Sequence, residues 1–198
     1  MYTKFGKRLL DILFSAILIP FIIILVIIVG IAIKLDDNGP IFYRAERRGQ
    51  FNTRFRIFKF RTMKVNAPDV RNSDNSTYNS ENDPRVTRIG RLLRKTSIDE
   101  LPQIFNVFLG DMSFIGPRPN MATKLDNELS NLELRRLEVK PGITGYNQAY
   151  YRNSVDMQEK IKNDVYYKEN MSFIFDCKIL LKTIVSVIKK DNINNEGY

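Results

Sequence analysis

The first pattern in the chain is a long apolar run near its start. No residue from 12 to 33 is charged. A helix of that length, at about 1.5 Å per residue, is just long enough to cross the roughly 30 Å hydrocarbon core of a bilayer. It is too long for the apolar region of a secretory signal peptide and is followed by no small-residue cleavage site. The run therefore predicts a membrane helix that is kept in the mature protein.

Two features favour a helix that enters and leaves the membrane on one side. Pro20 lies near the middle of the run, where its missing N–H and its ring favour a kink. Basic residues flank both ends, so the charge asymmetry that orients a spanning helix is lacking. These residues are Lys4, Lys7 and Arg8 before the run, and Lys34, Arg44, Arg47 and Arg48 after it. We predict a re-entrant helix–break–helix over residues 1–35, with a single kinked span as the alternative.

The rest of the chain, residues 36–198, is predicted to form one cytosolic domain of the α+β class that is mostly helical. Residues 41–48 and 54–63 are rich in aromatic and β-branched residues, and a glycine-containing tetrapeptide separates them, which indicates a β-hairpin. Residues 66–84 are crowded with Asn, Ser and Asp and predict a long mobile loop.

Helical spacing recurs in four later segments. Around residues 85–94, apolar residues and arginines follow different faces, which predicts a short amphipathic helix able to rest on lipid phosphates. Further helices are predicted for residues 101–109, which end before Gly110, and for residues 125–139. The helix predicted for residues 173–190 has a wide apolar stripe, which suits either the membrane interface or burial against the core.

Composition restricts the possible chemistry. The chain has 31 Lys and Arg against 22 Asp and Glu, so its net charge of +9 favours phosphates, nucleic acid or anionic lipid as partners. It has one cysteine and no histidine, which excludes a disulfide framework, Cys/His zinc sites and an imidazole base. Any catalysis must therefore use carboxylates, hydroxyls, lysine or tyrosine.

An adjacent Asp–Glu pair after the arginine-rich helix is the first candidate for that chemistry. Ser97 and Glu100 have the spacing of a capping box, so a purely structural role is open. The alternative is that the positive end of a helix keeps Asp99 ionised and attracts phosphate, so that its carboxylate attacks phosphorus. Glu100 would then share a divalent cation with Asp99 or move a proton.

Two other segments place cations on a restricted backbone. Arg118 stands between Pro117 and Pro119 and either engages a phosphate or a base, or belongs to a rigid surface turn. Lys59 and Arg61 alternate with phenylalanines on a predicted strand, so they either bind an anion or form the polar face of an amphipathic strand.

Taken together, these segments resemble the bacterial sugar transferases, and in particular the small monotopic phosphoglycosyl transferases. The resemblance covers nearly the whole chain. It rests on Lys7-Arg8 with Asp11, followed in order by GPIF at 39–42, KFRTM at 59–63, TSIDELPQ at 96–103, GDMS at 110–113, GPRP at 116–119 and PGITG at 141–145. The chain departs from the family at Ile19, where many members have a serine before the helix-breaking proline.

The resemblance implies an enzyme that transfers a sugar 1-phosphate from a UDP-sugar to a polyprenol phosphate such as undecaprenyl phosphate, with release of UMP. This would be the first membrane step of glycoconjugate assembly, at the cytosolic face of the bacterial inner membrane. Membrane lipids, and no nucleic acid, would be the further partners. The other function classes are a membrane-anchored scaffold without turnover and a module that binds phosphate, lipid or nucleic acid.

The resemblance also implies roles for single residues. The nucleophile falls on Asp99, which would form an aspartyl-phosphosugar intermediate, and its catalytic partner falls on Glu100. A Mg²⁺ ion would be held by these two residues and Asp111. The implied substrate-binding residues are Lys59, Arg61, Arg94, Pro117, Arg118 and Pro119. Asp164 and Asp176 are weaker matches that would help with the metal or orient arginines, and Pro20 has a structural role. The sugar, the glycan pathway and the oligomeric state stay open.

Overall fold

The computed structural model describes residues 2–70, 78, 80, 82–151 and 154–188. The described chain is rich in helix, with short strands between the helices. The helices are α1 Lys7–Asp37, α2 Arg88–Thr96, α3 Gln103–Leu109, α4 Asn131–Arg136, α5 Tyr146–Tyr150, α6 Met157–Asn170 and α7 Phe173–Ile188. The strands are β1 Phe42–Tyr43, β2 Glu46–Arg48, β3 Arg54–Arg56, β4 Lys59–Phe60, β5 Ser113–Ile115 and β6 Gly142–Thr144. The helix-rich α+β class is confirmed.

Helix α1 is long and apolar enough to serve as a membrane anchor. It has 31 residues, buries one face against the rest of the chain and leaves large apolar side chains exposed on the other. The helix continues through Pro20, so the structure does not divide the segment into two helices. A proline inside a helix removes one backbone hydrogen bond and favours a bend at that point, but it does not have to end the helix.

The start of α1 is attached to the folded unit by polar contacts. The guanidinium of Arg8 donates to the carbonyl oxygens of Val107 and Phe108 in α3, at 2.6 and 2.8 Å. The buried carboxylate of Asp11 accepts a hydrogen bond of 3.0 Å from the hydroxyl of Ser113, the first residue of β5. These bonds fix the beginning of the apolar helix on α3 and β5.

The end of α1 is attached to the same unit. Asp36 accepts a hydrogen bond of 3.0 Å from the N–H of Ile89, in the first turn of α2. Asp37 forms an ion pair with both terminal nitrogens of Arg61. Val29 and Ile33 of α1 are buried with Phe60 and Leu93 in one apolar cluster. Both ends of the helix therefore contact one folded body.

Residues 42–60 form the predicted β-hairpin. Strand β1 pairs antiparallel with β4, and β2 pairs with β3, in one continuous register that places Phe42 opposite Phe60 and Arg48 opposite Arg54. The N–H of Ile57 donates to the carbonyl of Ala45 at 3.0 Å between the two pairs. The hairpin prediction is confirmed, and its second arm ends in β4, which carries Lys59.

Helix α2 confirms the predicted amphipathic helix and packs closely on the chain after β4. Thr87 caps its start by accepting a hydrogen bond from the N–H of Gly90. A Cβ added to Gly90 would overlap the backbone of Thr62. Only glycine therefore lets α2 approach this segment so closely.

Gly90→Ala is expected to destabilise the protein by at least about 1 kcal/mol, because overlap with backbone atoms outweighs the better helix propensity of alanine. Thermal unfolding in detergent, followed by circular dichroism, measures the effect. Lys95→Ala, at an exposed position of the same helix, is the control and should leave the melting temperature nearly unchanged. An equal melting temperature for Gly90→Ala and the control would contradict the close packing.

Other predictions are corrected by the structure. The single helix expected over residues 125–139 is replaced by a short 3₁₀ turn, Asp126–Glu128, and by α4, which begins anew because Ser130 and Glu133 form a capping box. Helices α5 and α6 and the parallel pair of β5 and β6 were not predicted. The predicted mobile loop, residues 66–84, contains no helix or strand among its described residues, and residues 71–77, 79 and 81 lie outside them.

Candidate active site

Asp99 lies in a short 3₁₀ turn, Ile98–Glu100, between α2 and α3. Its side chain is buried, with 3% of the residue exposed. Ser97, at the junction, has a φ of +57° and its side chain caps no N–H group. The capping box that the spacing allowed does not form, because the carboxylate of Glu100 turns instead to Lys59 and Arg118.

Two carboxylates and two cations from three parts of the chain meet here, and we call them the charged cluster: Asp99, Glu100, Lys59 and Arg118. The ammonium of Lys59, from β4, lies 2.8 Å from Oδ2 of Asp99 and 3.0 Å from Oε1 of Glu100. Nη2 of Arg118, after β5, lies 2.6 Å from Oε1 of Glu100. The structure thus brings together the predicted nucleophile, its predicted partner and two of the predicted phosphate-binding residues.

Three members of the charged cluster hold one another in the ionised form. Burial disfavours the charge of Glu100, but the attraction of Arg118 and Lys59 outweighs it and holds the pKa of Glu100 far below its usual range. Burial also opposes the charge of Lys59, yet Glu100 and Asp99 raise the pKa of this lysine above its usual value. The carboxylate of Glu100 raises the pKa of Arg118. Glu100, Lys59 and Arg118 are therefore charged at neutral pH.

Arg94 lies close to the charged cluster on α2. Its Nε donates to the hydroxyl of Thr62 at 3.0 Å. Burial lowers the pKa of Arg94, while the negative charges of Asp99 and Asp83 act in the opposite direction. Arg94 therefore adds positive potential beside Asp99.

The segment that carries Arg118 is both a rigid turn and a part of the charged cluster. Pro117 is buried, and its carbonyl accepts a hydrogen bond of 2.9 Å from the N–H of Gly142. The side chain of Arg118 is 57% exposed and reaches Glu100. The two interpretations of this segment are therefore compatible, since its backbone is fixed while its guanidinium faces solvent. Pro119 is partly exposed and follows directly.

Arg61 is not brought into the charged cluster. Its guanidinium is almost fully buried against Asp37 and also donates to the carbonyls of Pro40, at 2.6 Å, and Met63, at 2.9 Å. Strand β4 ends at Phe60, and the side chain of Arg61 attaches the end of α1.

Asp111 also lies apart from the charged cluster. Its Oδ2 accepts a hydrogen bond of 3.1 Å from the amide of Asn106. Among the described residues, no three Asp, Glu or Cys side chains gather into one group. Asp99 and Glu100 do point their oxygens at one position, that of the Lys59 ammonium. Two carboxylates completed by substrate phosphates and water suit Mg²⁺, so these two residues fit the ion and Asp111 does not.

A buried polar network behind Arg118 was missed in the sequence. Arg136 of α4 and Asp164 of α6, which are 5% and 3% exposed, form an ion pair of 2.5 Å. Asn147 donates to the same carboxylate at 2.7 Å, and Nη2 of Arg136 donates to the carbonyl of Arg118 at 3.0 Å. Asp164 therefore orients an arginine, as its weak match implied, and through it the turn that carries Arg118. No local pattern marks Arg136, because its partners are distant in sequence.

Asp176, in the first turn of α7, contacts the residues at the start of α1 and does not belong to the charged cluster. Its carboxylate accepts hydrogen bonds from the hydroxyls of Tyr2, at 2.5 Å, and Tyr167, at 2.8 Å. It also pairs with the ammonium of Lys7 at 2.5 Å. Asp176 therefore connects α7 and α6 to the residues that begin the apolar helix.

Comparisons with known proteins find relatives that align with nearly the whole chain. A protein of Aeromonas hydrophila, named UDP-N-acetylgalactosamine-undecaprenyl-phosphate N-acetylgalactosaminephosphotransferase, is 40% identical over 93% of the chain. The chain spans only 44% of that protein's length. It spans 92% of the uncharacterized sugar transferase EpsL of Bacillus subtilis, with 37% identity over 97% of the chain. A UDP-glucose:undecaprenyl-phosphate glucose-1-phosphate transferase of Caulobacter vibrioides is 37% identical over 94% of the chain, which spans 71% of its length.

The family assignment rests on more than these pairwise similarities. The sequence model of the bacterial sugar transferases matches residues 2–190, which include α1, the β-hairpin and the whole charged cluster. The chain therefore belongs to the bacterial sugar transferase family.

Proposed function

We propose that the protein transfers a sugar 1-phosphate from a UDP-sugar to undecaprenyl phosphate and releases UMP. The observation that carries this proposal is a buried aspartate, Asp99, held beside Glu100 by one lysine, with Arg118 completing the cluster. A carboxylate nucleophile surrounded by cations suits attack on an anionic diphosphate. The names of the Aeromonas and Caulobacter relatives support the choice of substrates.

In the first step, an oxygen of Asp99 attacks the phosphorus that bears the sugar. The bond from that phosphorus to the oxygen bridging to UMP breaks, and UMP leaves with the electron pair. The sugar phosphate stays on Asp99 as an acyl phosphate. In this step Lys59 moves from the Asp99 carboxylate to the phosphate oxygens, which frees the nucleophile and compensates the developing charge.

In the second step, a phosphate oxygen of undecaprenyl phosphate attacks the same phosphorus. The bond to Asp99 breaks, and the free carboxylate returns to Lys59. The products are undecaprenyl diphosphate sugar and UMP, so atoms and charges balance over the two steps. Arg118 and Arg94 hold the diphosphate during both attacks, since a guanidinium can donate two parallel hydrogen bonds to phosphate.

A magnesium ion belongs to this proposal. Asp99 and Glu100 would hold it, and its charge would reduce the repulsion between the carboxylate and the diphosphate. Glu100, kept ionised by Arg118 and Lys59, would supply it with a negatively charged oxygen ligand.

We also propose that α1 bends at Pro20 without ending there, so that it enters the membrane and leaves it on the cytosolic side of the bacterial inner membrane. Both ends of α1 are bonded to one folded body, through Arg8 and Asp11 at its start and through Asp36 and Asp37 at its end. A spanning helix would place its ends on opposite sides of a core about 30 Å thick. One folded unit could not then hold both.

The membrane surface of the protein extends beyond α1. Large apolar side chains are also exposed on α7, namely Phe173, Ile174, Leu180, Leu181, Ile184 and Val185. Ile179 of the same helix is fully buried against Ile115 and Tyr167. Helix α7 thus packs on the core with one face and offers another to lipid, which supports attachment of the catalytic unit at the interface.

The topology predicts how cysteines react in intact cells. In a Cys177→Ser background, Phe5→Cys before the helix and Glu46→Cys in the hairpin should both resist a membrane-impermeant thiol reagent, because both lie in the cytosol. Both should react after the cells are permeabilised, which serves as the control. Labelling of Phe5→Cys alone in intact cells would establish a span and overturn the re-entrant arrangement.

UMP release tests the reaction itself. The purified chain, with Mg²⁺ and undecaprenyl phosphate, is offered UDP-N-acetylgalactosamine, UDP-galactose and UDP-glucose in parallel. We expect UMP from at least one of these sugars, and less of it when Mg²⁺ is chelated. Absence of UMP with all three, from protein that is folded by circular dichroism, would count against the proposal for these donors.

A further inference from the structure

Two basic side chains meet at the carboxyl end of α3. Gly110 ends this helix with a φ of +98°, and the position that a Cβ would take on it lies 3.2 Å from Nη2 of Arg8 and 3.6 Å from Nζ of Lys140. Arg8 is held there by the last carbonyl groups of α3. A guanidinium has five N–H donors, so these two bonds leave others available.

Lys140 has no comparable attachment. Within the described part of the chain its ammonium forms no hydrogen bond or ion pair, although it is partly buried. Burial lowers the pKa of Lys140, and the nearby charge of Arg8 lowers it further, while Asp11 and Asp111 act in the opposite direction. Each of those carboxylates already accepts hydrogen bonds from other groups. Among the described residues, Lys140 therefore has no anion bonded to it, and Arg8 is bonded only to neutral carbonyl groups.

Exposed apolar side chains lie close in sequence to Arg8 and to Gly110. Phe108 and Leu109, in the last turn of α3, are 43% and 66% exposed. Leu9 and Leu13, in the first turns of α1, are also half exposed or more. Cations beside apolar side chains at the start of a membrane helix suit an anion with an apolar tail better than a small soluble anion.

This position is separate from the charged cluster. Glu100 precedes α3 and Gly110 follows it, so the seven-residue helix alone holds the two about 10 Å apart. The acceptor phosphate must reach the phosphorus on Asp99 in the proposed reaction. A phosphate held at Gly110 is therefore not the reacting one.

We infer that Arg8 and Lys140 bind the headgroup phosphate of an anionic phospholipid, whose chains lie along the exposed apolar residues of α3 and α1. The bound lipid supplies the counter-charge that Lys140 lacks. It also connects Arg8 at the start of the membrane helix with Lys140 before β6.

Lipid retention measured by native mass spectrometry tests this site. The full chain in non-ionic detergent is titrated with phosphatidylglycerol, for the wild type, Lys140→Ala and Lys140→Arg. We expect Lys140→Ala to weaken retention of one lipid by about tenfold and Lys140→Arg to restore it, because arginine keeps the charge. Lys162→Ala, at an exposed lysine of α6, is the matched control and should bind as the wild type does. Circular dichroism checks that all variants are folded.

Three results would overturn the inference. The first is that Lys140→Ala retains phosphatidylglycerol as well as the wild type does. The second is that the wild type retains a galactosyl diacylglycerol, which has no phosphate, as well as it retains phosphatidylglycerol. The third is that undecaprenyl phosphate displaces phosphatidylglycerol stoichiometrically. The last result would assign the site to the acceptor. No UDP-sugar is present in these titrations, so their failure would leave the proposed transferase reaction untouched.

Discussion

Asp99→Asn is expected to reduce UMP release by roughly 10³-fold or more, because an amide is a poor nucleophile and cannot form the acyl phosphate. The substitution keeps the shape of the side chain, and its neighbours Lys59 and Glu100 can still pair with each other. The fold should therefore survive, and the melting temperature should change little.

The control for this loss is Asp156→Asn. Asp156 caps α6 by accepting a hydrogen bond from the N–H of Glu159, and asparagine caps helices equally well. UMP release by this variant should match the wild type. If Asp99→Asn retained near-normal release, Asp99 would not be the nucleophile.

Asp164→Asn is expected to lower the free energy of unfolding by about 3–5 kcal/mol, since it leaves the charge of Arg136 buried without its partner. Thermal unfolding in detergent measures the loss. UMP release at a temperature where the variant is folded should also fall, because Arg136 holds the carbonyl of Arg118. A loss of stability alone, with unchanged turnover, would limit Asp164 to a structural role.

The matched control is an ion pair on the surface. Arg135 and Glu169 join the same two helices, α4 and α6, but each side chain is 46% exposed. Glu169→Gln should cost at most about 1 kcal/mol, because solvent screens exposed pairs. Equal losses for Asp164→Asn and Glu169→Gln would contradict the importance of burial.

Short sequence patterns predicted those helices and strands that are determined by residues close together in the sequence. The hairpin followed from two aromatic strands around a short turn, and α2 followed from its periodicity. The helix predicted over residues 125–139 was wrong because the cap at Ser130 starts a new helix, and polar residues inside the predicted helix hid that signal.

The charged cluster was predictable only in part. The Asp99–Glu100 pair is adjacent in sequence, and the family resemblance pointed to Lys59 and Arg118 as well. Strand alternation placed Arg61 on the same face as Lys59. It could not show that β4 ends between these two residues or that Arg61 forms an ion pair with Asp37.

Contacts between residues far apart in the sequence could not be predicted from local patterns. The partners of Arg136 come from α6 and from the turn at Arg118, so only the folded chain shows that this arginine positions the site.

The most direct test of covalent transfer is a mass spectrum of the wild-type chain after incubation with a UDP-sugar substrate and Mg²⁺ but without undecaprenyl phosphate. We predict one equivalent of UMP and a phosphosugar on the peptide that contains Asp99, which disappears when undecaprenyl phosphate is added. UMP release that requires the acceptor, with no adduct on any peptide before it is added, would contradict the two-step reaction and indicate direct transfer between the two substrates.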